Sequence, residues 1–249
     1  MPCESLRSLR LPRLGQRFHK DIEKGVNCVF TCAQCAVEAC RSGKLDQMPK
    51  NCPMHDPEFF QQVLTEYFKP ENHDFYLTST AIEFLGYCRW PRLREVAEFS
   101  RRMGYTRLGL GFCVGLHKEA AIVDRVLRRQ GFQVVSVACK TGAIPKVDVG
   151  YDPNMLLRPG TREAMCNPIA QAKLLNREKT QFNICLGLCV GHDSLFYKYC
   201  EAPVTTLVAK DRVTGHCPAN AIYCTDSYFQ DRLDITATAK TMQTPEDAP

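Results

Sequence analysis

Gly111-Phe112-Cys113-Val114-Gly115 and Gly187-Leu188-Cys189-Val190-Gly191 are near copies of one another, 76 positions apart, and they decide the fold. Each closes a short apolar run and opens a stretch with helical periodicity. Working outward, residues 107–112, 132–138, 182–188 and 204–209 read as strands. Residues 117–130, 168–176 and 193–199 read as helices between or after them. A further helix opens after Pro91, shows one apolar face from Leu93 to Met103 and closes at Gly104. Upstream, residues 57–68 show i, i+3/i+4 apolar spacing, and a second helix is expected over 78–88. Strands and helices in alternation predict an α/β fold. The expected architecture is a three-layer, mainly parallel Rossmann-like sheet with an N-terminal cysteine-rich metal module.

In such sheets ligands sit beyond the carboxyl ends of the strands. Cys113 and Cys189 fall there, each followed by a glycine that lets the backbone turn tightly. A helix N-terminus beyond each turn favours a thiolate. Cys139 ends the second strand, and Cys166 stands just ahead of a helix. Cys113, Cys139, Cys166 and Cys189 are therefore expected at one sheet edge as a cofactor-binding set. Four thiolates suit an iron–sulfur cluster or tetrahedral zinc. Buried packing is the plain alternative for a free cysteine. Cys113, Cys189 and His192 are the catalytic candidates, with His192 serving as ligand or proton donor beside Cys189. Cys88, Cys185, Cys200 and Cys224 are expected to pack in the core. Lys210-Asp-Arg212 and Gly215-His216 follow the fourth strand, where they bind an anion or form a solvated loop.

The metal module is carried by Cys32-Ala-Gln-Cys35, Cys40 and Cys52-Pro53. A CxxC pair places two thiolates within reach of one ion, and two more cysteines complete a four-sulfur set. Cys28 is a spare candidate. Spacing alone does not separate zinc from an iron–sulfur cluster.

The 249 residues include 15 cysteines, 32 Lys+Arg and 27 Asp+Glu. Much of the basic surplus lies in residues 1–24, leaving a nearly neutral body and little reason to expect nucleic-acid binding. No apolar run approaches the length of a membrane helix. The arm lacks the continuous apolar stretch of a secretory signal, so a reducing cytoplasm is the expected setting. There, many cysteines point to metal binding or thiol catalysis. Gly109-Leu-Gly111-Phe-Cys-Val-Gly115 is one residue too long for a dinucleotide fingerprint, and no acid follows the second strand. The expected organisation is a disordered basic arm (1–24), the metal module (25–56), the α/β domain (57–235) and a disordered tail (236–249). The expected partner is a small ligand or a redox partner.

Taken together, Cys32-x2-Cys35-x4-Cys40, Cys52-Pro53, Gly111-Phe-Cys-Val-Gly115, Ala164-Met-Cys-Asn-Pro-Ile-Ala-Gln171, Gly187-Leu-Cys-Val-Gly-His-Asp-Ser194 and Ala202–Arg212 resemble a known family. It is the cysteine-rich family labelled domain of unknown function eighteen-forty-seven, found mostly in anaerobic bacteria and archaea. The resemblance runs from about Cys28 to Phe229 and implies metal binding. The expected function is thus an iron–sulfur protein that transfers electrons or acts on a small ligand. The alternative is a zinc protein that stores, senses or delivers metal.

Overall fold

The structure, a computed structural model, describes residues 30–233. Cys3, Cys28, the basic arm and the tail 236–249 lie outside them. The chain divides into two compact units, residues 1–69 and 70–249.

In the first unit, short 3-10 turns at Cys32–Gln34, Leu45–Gln47 and Pro53–His55 surround a one-turn helix, α1 (Ala39–Ser42). Helix α2 (Pro57–Tyr67) follows, with Asp56 accepting the Phe59 N–H at 3.0 Å as its cap. The sequence reading assigns α2 to the α/β domain, whereas the compact first unit extends to Lys69.

The second unit begins with α3 (Pro70–Gly86), which starts a full two turns before the expected residue 78. Pro70 takes the first helical position, where its missing N–H costs nothing. Helix α4 (Arg92–Arg102) leads into β1 (Arg107–Phe112), α5 (His117–Arg129) and β2 (Gln133–Ala138). After an irregular stretch come α6 (Pro168–Arg177), β3 (Phe182–Leu186), α7 (His192–Tyr199), β4 (Val204–Val208), α8 (Ala219–Tyr223) and α9 (Gln230–Leu233). The third strand stops two residues short of the expected end because Gly187 turns to φ +63°.

All four strands are parallel, in the order β2-β1-β3-β4. Alternation along β1 sorts its side chains onto two faces. Leu108, Leu110 and Phe112 join residues of α3, α4 and α5 in one core, together with Phe182, Ile184 and Leu186 of β3. Within it the Phe75, Phe99 and Phe182 rings meet at centroid distances of 4.8 to 6.4 Å. The opposite face packs Cys185 against Ala172 and Leu175 of α6 and Phe196 of α7. Each fully buried leucine or isoleucine contributes about 1.5–3 kcal/mol. Gly111 faces this second layer, where a Cβ would stand 2.6 Å from the Phe196 ring. The glycines of β1 therefore let α6 and α7 approach the strand, which accounts for them without a nucleotide. Among the described residues no helix is long and apolar enough to cross a membrane.

Candidate functional site

In the order β2-β1-β3-β4 the connection leaving β1 runs to one neighbour, and β3 lies on its other side. The strand order thus reverses between β1 and β3, which opens a crevice at their carboxyl ends. Backbone ladders extend one residue beyond the strands there. The Cys113 N–H donates to the Leu186 carbonyl at 3.1 Å, and the Cys139 N–H donates to the Phe112 carbonyl at 2.9 Å. These bonds hold Cys113 and Cys139 side by side. Cys166 is brought in from the irregular segment by its neighbour Asn167. The Asn167 N–H donates to the Cys139 carbonyl at 2.7 Å, while its side chain caps α6 by accepting the Ala170 N–H. Cys189 stands in the turn that leads into α7.

Cys113, Cys139, Cys166, Cys189 and His192 line one crevice, closed by Pro168, Gln171 and Leu188. No water-sized space is open within it. Cys113 and Cys139 are buried, whereas Cys166 and Cys189 are half-buried. The Cys139 thiol sits in the middle and hydrogen-bonds both Cys113 and Cys166.

Each sulfur also has a donor of its own. Arg212 reaches Cys189 Sγ at 3.1 Å, and Lys140 Nζ reaches Cys166 Sγ at 3.5 Å. The Val114 N–H donates to Cys139 Sγ at 3.3 Å. Lys210 and the Gly115 N–H serve Cys113. The outer thiols respond accordingly. The Cys139 hydrogen bond, then the Gly115 N–H and Lys210, hold Cys113 down to about 5 against the opposing effect of burial. Cys139, then Lys140 and His192, hold Cys166 down to about 5 as well. Cys139 moves the other way, pushed up by its two thiol neighbours and by burial. The surroundings thus favour the thiolate at the two outer sulfurs and the thiol at the central one.

Gln171, fully buried, ties α6 to the crevice floor. Its Nε2 donates to the Phe112 carbonyl at 3.1 Å and the Val137 carbonyl at 2.7 Å. Gln171 Oε1 and His192 Nδ1 are buried without a hydrogen-bond partner.

In the first unit, Cys32, Cys35, Cys40 and Cys52 line a cavity of about 270 Å³. The turn is built by backbone bonds from Cys35 to Cys32 and from Cys52 to Pro49. His55 Nε2 pairs with the Pro49 carbonyl at 2.9 Å, and the Asn51 amide donates to Thr31 Oγ1. Glu38 is the one charged side chain on the wall, and it pairs with Arg41 at 3.2 Å. Among the described residues no group of three or more His, Cys, Asp or Glu is arranged to hold a single metal ion. One tetrahedral ion needs all its sulfurs about 2.3 Å away. The four sulfurs line the wall of a wider hollow, and thiolates are the donor type that both zinc and iron–sulfur clusters take.

The expected sheet-edge set is thus brought together, with His192 among it. Cys185 is buried within β3, as expected. Cys88 is a correction: it is exposed, at φ +53°, and does not pack in the core. Cys200 and Cys224 are only partly buried. Lys140 and Gln171 were not among the candidates, whereas Lys210 and Arg212 belong to the loop after the fourth strand that reads as anion-binding or solvated. The signals were a basic loop after the fourth strand and a glutamine on the inward face of α6. A larger hollow, about 450 Å³, lies over Phe75, Phe99 and Phe182 near the amino ends of β3 and β4. It lies toward the opposite ends of the strands from the four sheet-edge thiols.

A family model described as "Protein of unknown function (DUF1847)" matches residues 52–207. Uncharacterized protein MJ0455 of Methanocaldococcus jannaschii is 40% identical over 203 residues, covering 82% of this chain and 98% of its own. The chain belongs to the DUF1847 family. This finding corrects the resemblance given above in its wording and extent. The match begins at Cys52, so Cys32, Cys35 and Cys40 fall outside it, whereas the four sheet-edge cysteines fall within it.

Proposed function

We propose that this protein is an iron–sulfur protein of a reducing cytoplasm, with the cluster held by Cys32, Cys35, Cys40 and Cys52. The thiols at the carboxyl edge of the sheet are its reacting centre, working on a small ligand or with a redox partner. The observation that carries the reading is that two sets of four cysteines, distant in sequence, each line one hollow. A bound cluster would store and pass single electrons. The module's own residues supply the sulfurs, and the Cys32–Cys35 turn sets two of them on one wall. At the sheet edge the outer two sulfurs of the hydrogen-bonded trio and Cys189 each face a cation, and the trio leaves no water-sized gap. That set is therefore assigned to thiol chemistry in its own right. Every described cysteine is free, as this chemistry requires.

The test is anaerobic purification, then visible and EPR spectroscopy with iron and acid-labile sulfide counts. The expected result is a brown protein with iron and sulfide in equal amounts. A colourless protein with stoichiometric zinc would assign the module to the zinc reading. A protein with neither metal would end the metal reading altogether.

A further inference from the structure

We propose that the sheet edge performs thiol–disulfide exchange on small, negatively charged disulfides, with Cys166 as the attacking sulfur and Cys139 as the resolving one. The inference rests on the reading above for the sheet edge as the reacting centre.

Accessibility selects the attacker. Of these three thiols, Cys113 is 9% exposed and Cys139 2%, whereas Cys166 is only half-buried. Proximity selects the resolver: Cys139 lines the same crevice as Cys166, and the N–H of Asn167, the residue after Cys166, donates to the Cys139 carbonyl at 2.7 Å. The cations select the substrate's charge. Lys140 at Cys166 and Arg212 at Cys189 stand at the same crevice, with Lys210 near Cys113. An independent observation is that Gln171 Oε1 and His192 Nδ1, on the crevice wall, are buried and unpartnered.

The step balances without any further reagent. The Cys166 thiolate attacks one sulfur of R–S–S–R, the S–S bond breaks, and RS⁻ leaves. Cys139 gives its proton to that departing thiolate and attacks Cys166 Sγ. The mixed disulfide breaks and a second RS⁻ leaves. The substrate is reduced to two thiols, one protonated, and the protein is oxidised to a Cys139–Cys166 disulfide.

The test uses the full chain, purified anaerobically, at about pH 6, where an ordinary thiol is under about 1% ionised. The anionic probe is 5,5′-dithiobis(2-nitrobenzoate) and the neutral probe is 4,4′-dithiodipyridine. The expected result is a fast phase releasing two chromophores per chain, with peptide mapping showing Cys139–Cys166. Cys139→Ser should release one and trap the probe on Cys166. Cys166→Ser should lose the fast phase while its circular dichroism spectrum and denaturation midpoint match those of the parent chain, which shows that the serine does not unfold the site. In Lys140→Met the preference for the anionic probe, normalised to free cysteine, should be lost. A fast phase that survives Cys166→Ser, a Cys113–Cys139 bridge, or an unchanged preference in Lys140→Met would overturn the proposal. Iron and sulfide counted on the same samples separate the two failures: exchange absent with the module loaded sinks this inference alone.

Discussion

Cys166 should react with a neutral disulfide at a rate that hardly changes between about pH 6 and pH 9, and this flatness is the sharpest consequence of its surroundings. Its thiol is held down to about 5 by Cys139, Lys140 and His192. An ordinary thiol, near pKa 8.5, is about 0.3% thiolate at pH 6, so Cys166 has roughly 300 times more of the reactive form. A thiolate of low pKa is also a weaker nucleophile. With a Brønsted slope near 0.45, a gap of about 3.5 units costs roughly 40-fold in intrinsic rate. The two effects leave Cys166 about tenfold faster than an ordinary thiol at pH 6, equal near pH 7, and about tenfold slower at pH 8. The rate at neutral pH alone would thus reveal nothing, and the crossing of the two profiles is the signature. Stopped-flow release from 4,4′-dithiodipyridine, referenced to free cysteine, measures it. Lys140→Met removes a cation beside the thiolate, so the inflection should move to higher pH. A rate that climbs tenfold per pH unit up to pH 8, as a free thiol's does, would refute the reasoning.

Gly111→Ala should destabilise the protein by about 1–3 kcal/mol in denaturant titration, since its Cβ would press on the fully buried Phe196. Gln171→Leu should cost about 1–3 kcal/mol by the same measurement, because both carbonyl bonds at the crevice floor are lost. Cys185, whose thiol burial pushes up to about 11, should resist labelling at neutral pH until the protein unfolds, as pulse alkylation with mass spectrometry would show.

The strand-and-turn pattern made most of the sheet legible. Repeated Gly-x-Cys-Val-Gly turns mark where two strands stop, and valine-rich runs mark the others. The start of α3 was hidden because Asn72, His73 and Asp74 are weak helix formers, so only packing reveals the first two turns. Convergence of Cys113, Cys139 and Cys189 followed from strand ends, for a parallel sheet puts all its carboxyl ends on one rim, and that of Cys166 from its place just ahead of a helix. Their division of labour did not. It depends on Cys139 lying between two sulfurs and on cations that arrive from Lys140 and from the loop after β4. These are contacts over 23 to 26 positions, and local pattern does not encode them. The exposure of Cys88 escaped for a similar reason, because its place beyond α3 in a left-handed conformation has no periodic signal.

Iron and acid-labile sulfide, counted in anaerobically prepared Cys35→Ser and Cys139→Ser proteins beside the parent chain, address the division between the two cysteine sets most directly. The account predicts that the first variant loses its iron and sulfide while the second keeps both. Iron lost from Cys139→Ser and retained in Cys35→Ser would place the cluster at the sheet edge and contradict it.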